Sequence, residues 1–357
     1  MMRAASWLAL AAAWMAWVPA IYASPMMVKR ATTCNGYSDL CNRQFSNVTF
    51  IGAHDSYAVG PTSRFGANQE LTVKDQLDSG IRALQIQGHK SSNSGGSGIS
   101  LCHTSCTILN GGTLENYLSN VTDWVKANPN DVISIFIANN DNLPATQWDQ
   151  GFSSSGLKSY TYAPGGQKLA KKNWPTLQDM ISNNHRVVVF MDYETDIGNV
   201  NYILPEFKNV WENPYDQIKT PFNCTPDRID GNANSMMYLT NHFLDQEKEL
   251  FGQTFSTPNV DQLNTTNGIA SILQDTNSCA QEHGSYPTFV LVDFFAKGNG
   301  SVFEAAAQMN NVNFNGASIS TSNTDSGEEQ HDAGSATRPL AAYWAATAAL
   351  AMLLGLA

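Results

Sequence analysis

The chain has 357 residues, a formal net charge of −11, 42% hydrophobic residues and 14% charged residues. So acidic a balance argues against nucleic acid as a partner and against adsorption to anionic lipid. Residues 31–317, between two unusual ends, are enough for one large core, a length at which α/β barrels are single domains.

The N-terminal end reads as a secretory signal over residues 1–23: Arg3, an apolar run over 4–18, then small residues at Ala20 and Ala23. A transmembrane helix is the alternative, but the run is short for a span. Residues 24–30 then form a short pro-segment ending at the dibasic pair Lys29-Arg30, so the mature chain begins near Ala31.

The stretch 47–57, NVTFIGAHDSY, places β-branched and aromatic residues before a Gly-Ala turn and then His54-Asp55-Ser56. That predicts a short buried strand with a histidine and a carboxylate at its C-terminal mouth. Imidazole titrates near neutrality, and a carboxylate beside it fixes its tautomer and raises its basicity. A helix is predicted over 71–79, closed by Gly80, and an alternating strand over 81–87. A flexible Ser/Gly stretch, 91–98, leads to Leu101-Cys102-His103. Thr113 caps a helix carrying Leu114, Tyr117, Leu118, Val121, Trp124 and Val125 at helical spacing, and Asn128-Pro129 stops it.

Residues 132–138 form a continuous apolar run, the mark of a strand buried on both faces, ending at Asn139. Leu177, Met180 and Ile181 mark a helix, 187–191 a second buried strand ending at Asp192, and 236–240 a weaker strand ending at Asn241. A helix over 269–279, a strand over 288–292 ending at Asp293, and a helix over 302–309 complete the pattern. The regions 147–173 and 200–233 fit no period and are expected to be long loops.

Buried strands alternating with helices predict an α/β fold of TIM type, a (β/α) barrel in which irregular strands are allowed. In such a barrel the chemistry lies at the C-terminal strand ends. His54, Asp55, Asn139, Asp192 and Asp293 all fall there.

Residues 340–357 are apolar to the end, preceded by a polar Ser/Thr/Gly-rich spacer over 318–339. A small-residue site at Asp325, a spacer and an apolar tail make the pattern of a GPI-attachment signal; a tail-anchored span is the alternative. Asn47, Asn120, Asn223, Asn264 and Asn299 stand in N-x-S/T sequons, suiting a secreted glycoprotein at the cell surface or cell wall. The even count of six cysteines suits an oxidising compartment. Cys34 with Cys41 and Cys102 with Cys106 are close enough to pair locally, leaving Cys224 with Cys279, one of fifteen connectivities.

Taken together, GAHDSY, QLDSGIR, LCH and VLVDFF, in that order and each at a strand end, resemble the phosphatidylinositol-specific phospholipase C X-domain superfamily. Within it the likeness is to the secreted fungal PLC-like phosphodiesterases, over residues 45–309. The resemblance implies a phosphoric diester hydrolase acting on a phospholipid, with two histidines and no metal or other cofactor, as in the bacterial enzymes. His54 would be the general base, His103 the general acid, and Asp293 the group orienting the base, with Asp55 following it and Arg82 matching the GIR arginine.

One departure is plain. Bacterial members carry D-x-R where this chain has Gln85 and Gln87, and animal members carry calcium-binding carboxylates there. Losing one strong transition-state donor can cost on the order of 10²–10³ in rate. His89 is a candidate replacement cation, or an exposed loop histidine; Arg82 contacts phosphate, or partners a buried carboxylate; Asn139 contacts substrate, or only holds the barrel mouth. The functional reading is a monomeric phosphodiesterase held at the surface by a GPI anchor. The competing reading is a non-catalytic barrel that binds a phosphorylated lipid or glycan.

Overall fold

The computed structural model describes residues 31–91, 96–250, 252–316 and 319. The signal and pro-segments, Asp325, nearly all of the polar spacer and the apolar tail lie outside the described residues. In chain order the strands are β1 (Phe50–Ala53), β2 (Ala83–Lys90), β3 (Ile99–His103), β4 (Leu109–Thr113), β5 (Ile133–Ala138) and β6 (Val187–Met191). Then come β7 (Ile203–Pro205), β8 (Val210–Glu212), β9 (Met237–Asn241), β10 (Asp245–Leu250), β11 (Gln253–Pro258) and β12 (Phe289–Val292).

Eight strands lie in the order β7-β6-β5-β2-β1-β12-β9-β8, parallel at every step. The first and last strands of the chain are therefore neighbours, as a sheet curling into a barrel requires. Among the described residues no pairing joins β7 to β8, so the curl is a TIM-like half-barrel, open on that side.

The pleat of each strand sorts its residues between two cores. Phe50, Ala83, Phe136, Val188, Phe190, Leu204, Val210, Met237, Leu239, Phe289 and Leu291 pack together as one cluster. Their alternates, among them Ile51, Leu84, Ile135, Val189 and Val290, pack with the surrounding helices. Gly52 sits on the inner face because nothing larger fits: a Cβ there would lie 2.4 Å from Leu291 Cδ2 and 2.9 Å from Ala83 Cβ. Continuing the inner parity along each strand reaches Gln85 and Gln87 within β2, Asn241 at the end of β9, and His54, Asp192 and Asp293 just past β1, β6 and β12. The period that fills the core also aims the mouth.

Helices end where their caps say. Thr72 caps Val73–Ser79 and Thr113 caps Leu114–Ala127, each side-chain oxygen accepting from the backbone N–H three residues on. Two expected loops carry structure. The helix Ala145–Ser154 runs into 147–173 and buries Ala145, Trp148 and Phe152; three apolar residues in a Gly/Ser/Gln-rich run are too few to show a period. Within 200–233 lie β7 and β8, joined by the single turn Glu206–Asn209. Three-residue strands are too short to alternate visibly. Two antiparallel hairpins, β3–β4 and β10–β11, add to the barrel plan. All three disulfides pair as the spacing favoured, and all five sequon asparagines are exposed.

Candidate active site

A pocket of about 380 Å³ opens at the C-terminal ends of the parallel strands. Its lining includes His54, Asp55, Gln85, Gln87 and His103, which come from β1, β2 and the end of β3.

His54 is held on three sides. Its Nδ1 lies 2.8 Å from Asp293 Oδ1, and Asn68 Nδ2 donates to the same carboxylate oxygen at 3.0 Å. Phe243 stacks flat against the ring at 4.1 Å between centroids. Burial alone would lower the pKa of the ring, but the charges of Asp293 and Asp55 outweigh it and raise it to about 9.

Asp55 is buried and takes a left-handed φ of 39°, a costly conformation for a residue with a side chain. It sets Oδ2 between the two imidazoles, 3.8 Å from His54 Nε2 and 3.4 Å from His103 Nε2. His103 ends β3 inside the loop clamped by Cys102–Cys106. Its Nδ1 donates to Gly66 O at 2.7 Å, which leaves Nε2 for the pocket.

The two glutamines are oriented by backbone. Gln85 Oε1 accepts from the Asp55 N–H at 3.4 Å, and Gln87 Oε1 from the Thr104 N–H at 2.6 Å. With each carbonyl oxygen so occupied, the NH₂ ends are the groups left to serve a ligand.

The other residues singled out from the sequence lie elsewhere. Arg82 precedes β2, at the far end of the barrel from the pocket, and its Nε and Nη2 bind Asp131 Oδ1 at 3.0 and 2.8 Å. It partners a carboxylate and contacts no site residue. His89 Nδ1 is 3.1 Å from Asp141 Oδ1 on the rim and is not a pocket cation. Asn139 ties down its own loop: Oδ1 accepts from the Leu143 N–H and Nδ2 donates to the carbonyls of Leu143 and Tyr193.

Most of the opposite wall was not anticipated. Arg228 lines the pocket, ion-pairs with buried Glu212 and lies 4.5 Å above the Tyr215 ring. Asp192, Asp216 and Asp245 stand on the same lining. Burial raises Asp192 to about 6, and burial with the Asp293 charge raises Asp245 to about 7. Only Asp192 carried a signal in the sequence, as the polar end of a buried run. Arg228, Asp216 and Asp245 sit in loops and a hairpin with no period of their own.

Among the described residues, one group of three metal-ligating side chains gathers within 4.8 Å: Cys224, Asp275 and Cys279. Its two cysteines are joined in a disulfide, which leaves no thiolates for a metal. The pocket carboxylates do not gather closely enough to form such a group.

The PI-PLC X family (PI-PLC X 1) matches residues 40–310. An "Uncharacterized secreted protein" of Arthroderma benhamiae is 41% identical over 292 residues, 79% of this chain, which spans 65% of that relative's length. A "PI-PLC X domain-containing protein 1" of the same organism is 35% identical over 308 residues, 83% of this chain and 97% of that protein. The solved phosphatidylinositol-specific phospholipase C from Listeria monocytogenes superposes with a TM-score of 0.50 at 14% identity, covering 75% of this chain and 95% of that one. At that identity the likeness speaks to the fold alone. With one family matched across the whole half-barrel and a relative aligned along almost its full length, the chain belongs to the PI-PLC X domain family.

Proposed function

We propose that the protein is a phosphoric diester hydrolase of phospholipase C type, acting on a phospholipid or related phosphodiester by metal-independent acid–base catalysis. One observation carries this reading: the two imidazoles turn their Nε2 atoms to a single buried carboxylate, Asp55, at 3.8 and 3.4 Å, on the lining of one pocket. Asp293 keeps the His54 proton on Nδ1, so Nε2, once deprotonated, takes the proton of the attacking hydroxyl. His103 Nε2, in the protonated ring, gives its proton to the departing alcohol, with Asp55 Oδ2 3.4 Å away. The NH₂ groups of Gln85 and Gln87 donate to the phosphoryl oxygens, neutral donors where the bacterial pattern has a charge.

The same reading puts the protein outside the cell. The leader over 1–23 and the tail over 340–357 support a secreted precursor that receives a GPI anchor near Asp325, and a relative named as secreted agrees. Release of surface protein by a GPI-cleaving enzyme tests this; protein that still partitions into detergent afterwards would point to a true membrane span.

The catalytic reading is tested with a chromogenic phosphodiester, with and without chelator. His54→Ala and His103→Ala should each lower the rate by on the order of 10²–10⁴, and chelator should change nothing. Activity that survives the loss of both histidines refutes the mechanism. Because Gln85 and Gln87 carry no charge, a protein that binds phosphorylated ligand without turning it over would instead be a binding barrel.

A further inference from the structure

One short segment reaches both catalytic histidines. Gly66, Ala67, Asn68 and Gln69 lie between β1 and the helix Val73–Ser79, and all four are buried although they belong to a loop. A buried loop must find partners for its polar groups. This one finds them on the two histidines and on the groups that hold them.

Toward the acid, Gly66 O accepts the Nδ1 proton of His103 at 2.7 Å. Gly66 has a left-handed φ of 81°, and a Cβ there would lie 3.0 Å from Ile108 Cγ2 and 3.4 Å from His103 Nδ1. Glycine lets this carbonyl meet the ring without crowding it. Toward the base, Asn68 Nδ2 donates to Asp293 Oδ1 at 3.0 Å, the oxygen that also takes the His54 Nδ1 proton. Turning that amide over would set oxygen against oxygen, so its orientation is fixed. The Asn68 carbonyl accepts from the Phe294 N–H at 2.7 Å, which pins the residue after Asp293. Gln69 Nε2 closes the seam between β1 and β12, donating to His54 O and Val292 O at 2.9 and 3.0 Å.

The segment is itself tied down. The N–H groups of Asn68 and Gln69 both donate to Ala58 O, at 2.9 and 3.2 Å, and Gln69 O accepts from the Gly60 N–H at 2.8 Å. Its two ends therefore do not shift independently. Each imidazole keeps a proton on Nδ1 and offers Nε2 to the pocket, and the acceptor at Nδ1 is either a carbonyl of this segment or a carboxylate that it holds.

We infer that Gly66, Asn68 and Gln69 form one positioning clamp that sets the general acid and the general base together, in the same tautomer and at a fixed spacing. The inference rests on the phosphodiesterase reading for the roles of the two rings, but not for their geometry.

Imidazole nitrogen NMR on the full mature protein reads each ring separately. In the native protein both neutral rings should carry their proton on Nδ1. Gly66→Ala should mix the tautomers of His103 and also shift the signals of His54, the ring held from the other end of the clamp. Asn68→Leu should shift His103 as well as His54, and it reads the same cross-effect should Gly66→Ala fail to fold. Asp55 lies between the rings, so the cross-effect must persist when Asp55→Asn is added. Arg64→Ala, which removes an exposed side chain from the same loop, should leave both rings unchanged. With the chromogenic phosphodiester, each clamp variant should lower kcat about tenfold or more at unchanged KM. Signals that move only for the ring each residue touches, or a cross-effect that vanishes with Asp55→Asn, overturn the clamp. So does a native protein that cleaves the diester while the clamp variants keep its kcat. A native protein that cleaves nothing refutes the hydrolase instead, and the ring signals still decide the clamp.

Discussion

Replacing Asp293 with asparagine removes a charge and leaves the shape. The amide oxygen of the substituted side chain can still accept the His54 Nδ1 proton, so the ring stays in place while its environment loses a negative charge at 2.8 Å. In the native protein the imidazolium is held at about 9 against an ordinary value of 6.5, which corresponds to about 3 kcal/mol in favour of the charged ring. Asp293 supplies both the nearest charge and the hydrogen bond, and Asp55 stands farther off at 3.8 Å. The Asp293→Asn change should therefore remove more than half of that preference, about 2 kcal/mol, and lower the titration midpoint by at least about one and a half pH units. Histidine NMR across pH 5 to 10 reads this directly, and the acid limb of kcat/KM should move down with it. Stability responds with the same sign: a histidine raised in the folded state stabilises fully below 6.5 and loses that contribution as pH rises through about 9. The native protein should lose stability over that window more steeply than the variant. A His54 midpoint that stays near 9 in the variant would refute the assignment of Asp293. A midpoint that moves without the rate limb would show that His54 is not the base.

The remaining predictions concern the scaffold. Arg82→Ala should cost about 2–3 kcal/mol in urea unfolding, because Asp131 loses its charged partner in a half-buried site; KM should not move, and a raised KM would return Arg82 to the substrate. Replacing Cys224 and Cys279 with serine opens a loop with a sequence separation of 55 and should cost about 2–5 kcal/mol, read as a lowered Tm. Gly52→Ala places a methyl 2.4 Å from Leu291 and should cost about 1–3 kcal/mol in the same assay; a neutral effect would mean that β1 and β12 are not packed as described.

The long buried strands were legible because burial on both faces leaves an unmistakable mark. The runs over 132–138 and 187–191 became β5 and β6, each paired on both sides in the sheet. His54 and Asp293 could be placed at strand mouths by the same rule, and β1 and β12 do pair, with Ala53 opposite Val292. Short elements were not legible. β7 and β8 contribute three residues each, too few for a period, and the β10–β11 hairpin shows no regular apolar alternation, with the charged run EKE on one arm and TFST on the other. The wall these pieces build was therefore invisible along the chain. Arg82 kept two readings open, phosphate contact or carboxylate partner, because parity along a strand says nothing about which end of a barrel a flanking residue occupies; its pairing with Asp131 settles on the second.

That unseen wall changes the electrostatic problem the pocket poses. On strand β2, Gln85 and Gln87 suggest a site short of positive charge. The fold answers with Arg228, brought alongside Glu212 from the loop after β8, but the pairing cancels the charge that was gained. His54 is positive at neutral pH and is flanked by two carboxylates, Asp293 and Asp55. Asp192, Asp216 and Asp245 weight the lining toward negative charge, and burial is the largest cause of their raised pKa values. A phosphodiester anion would enter against this field if it came alone. Protons can relieve the field, but the same protons keep His54 in its acid form and withhold the base.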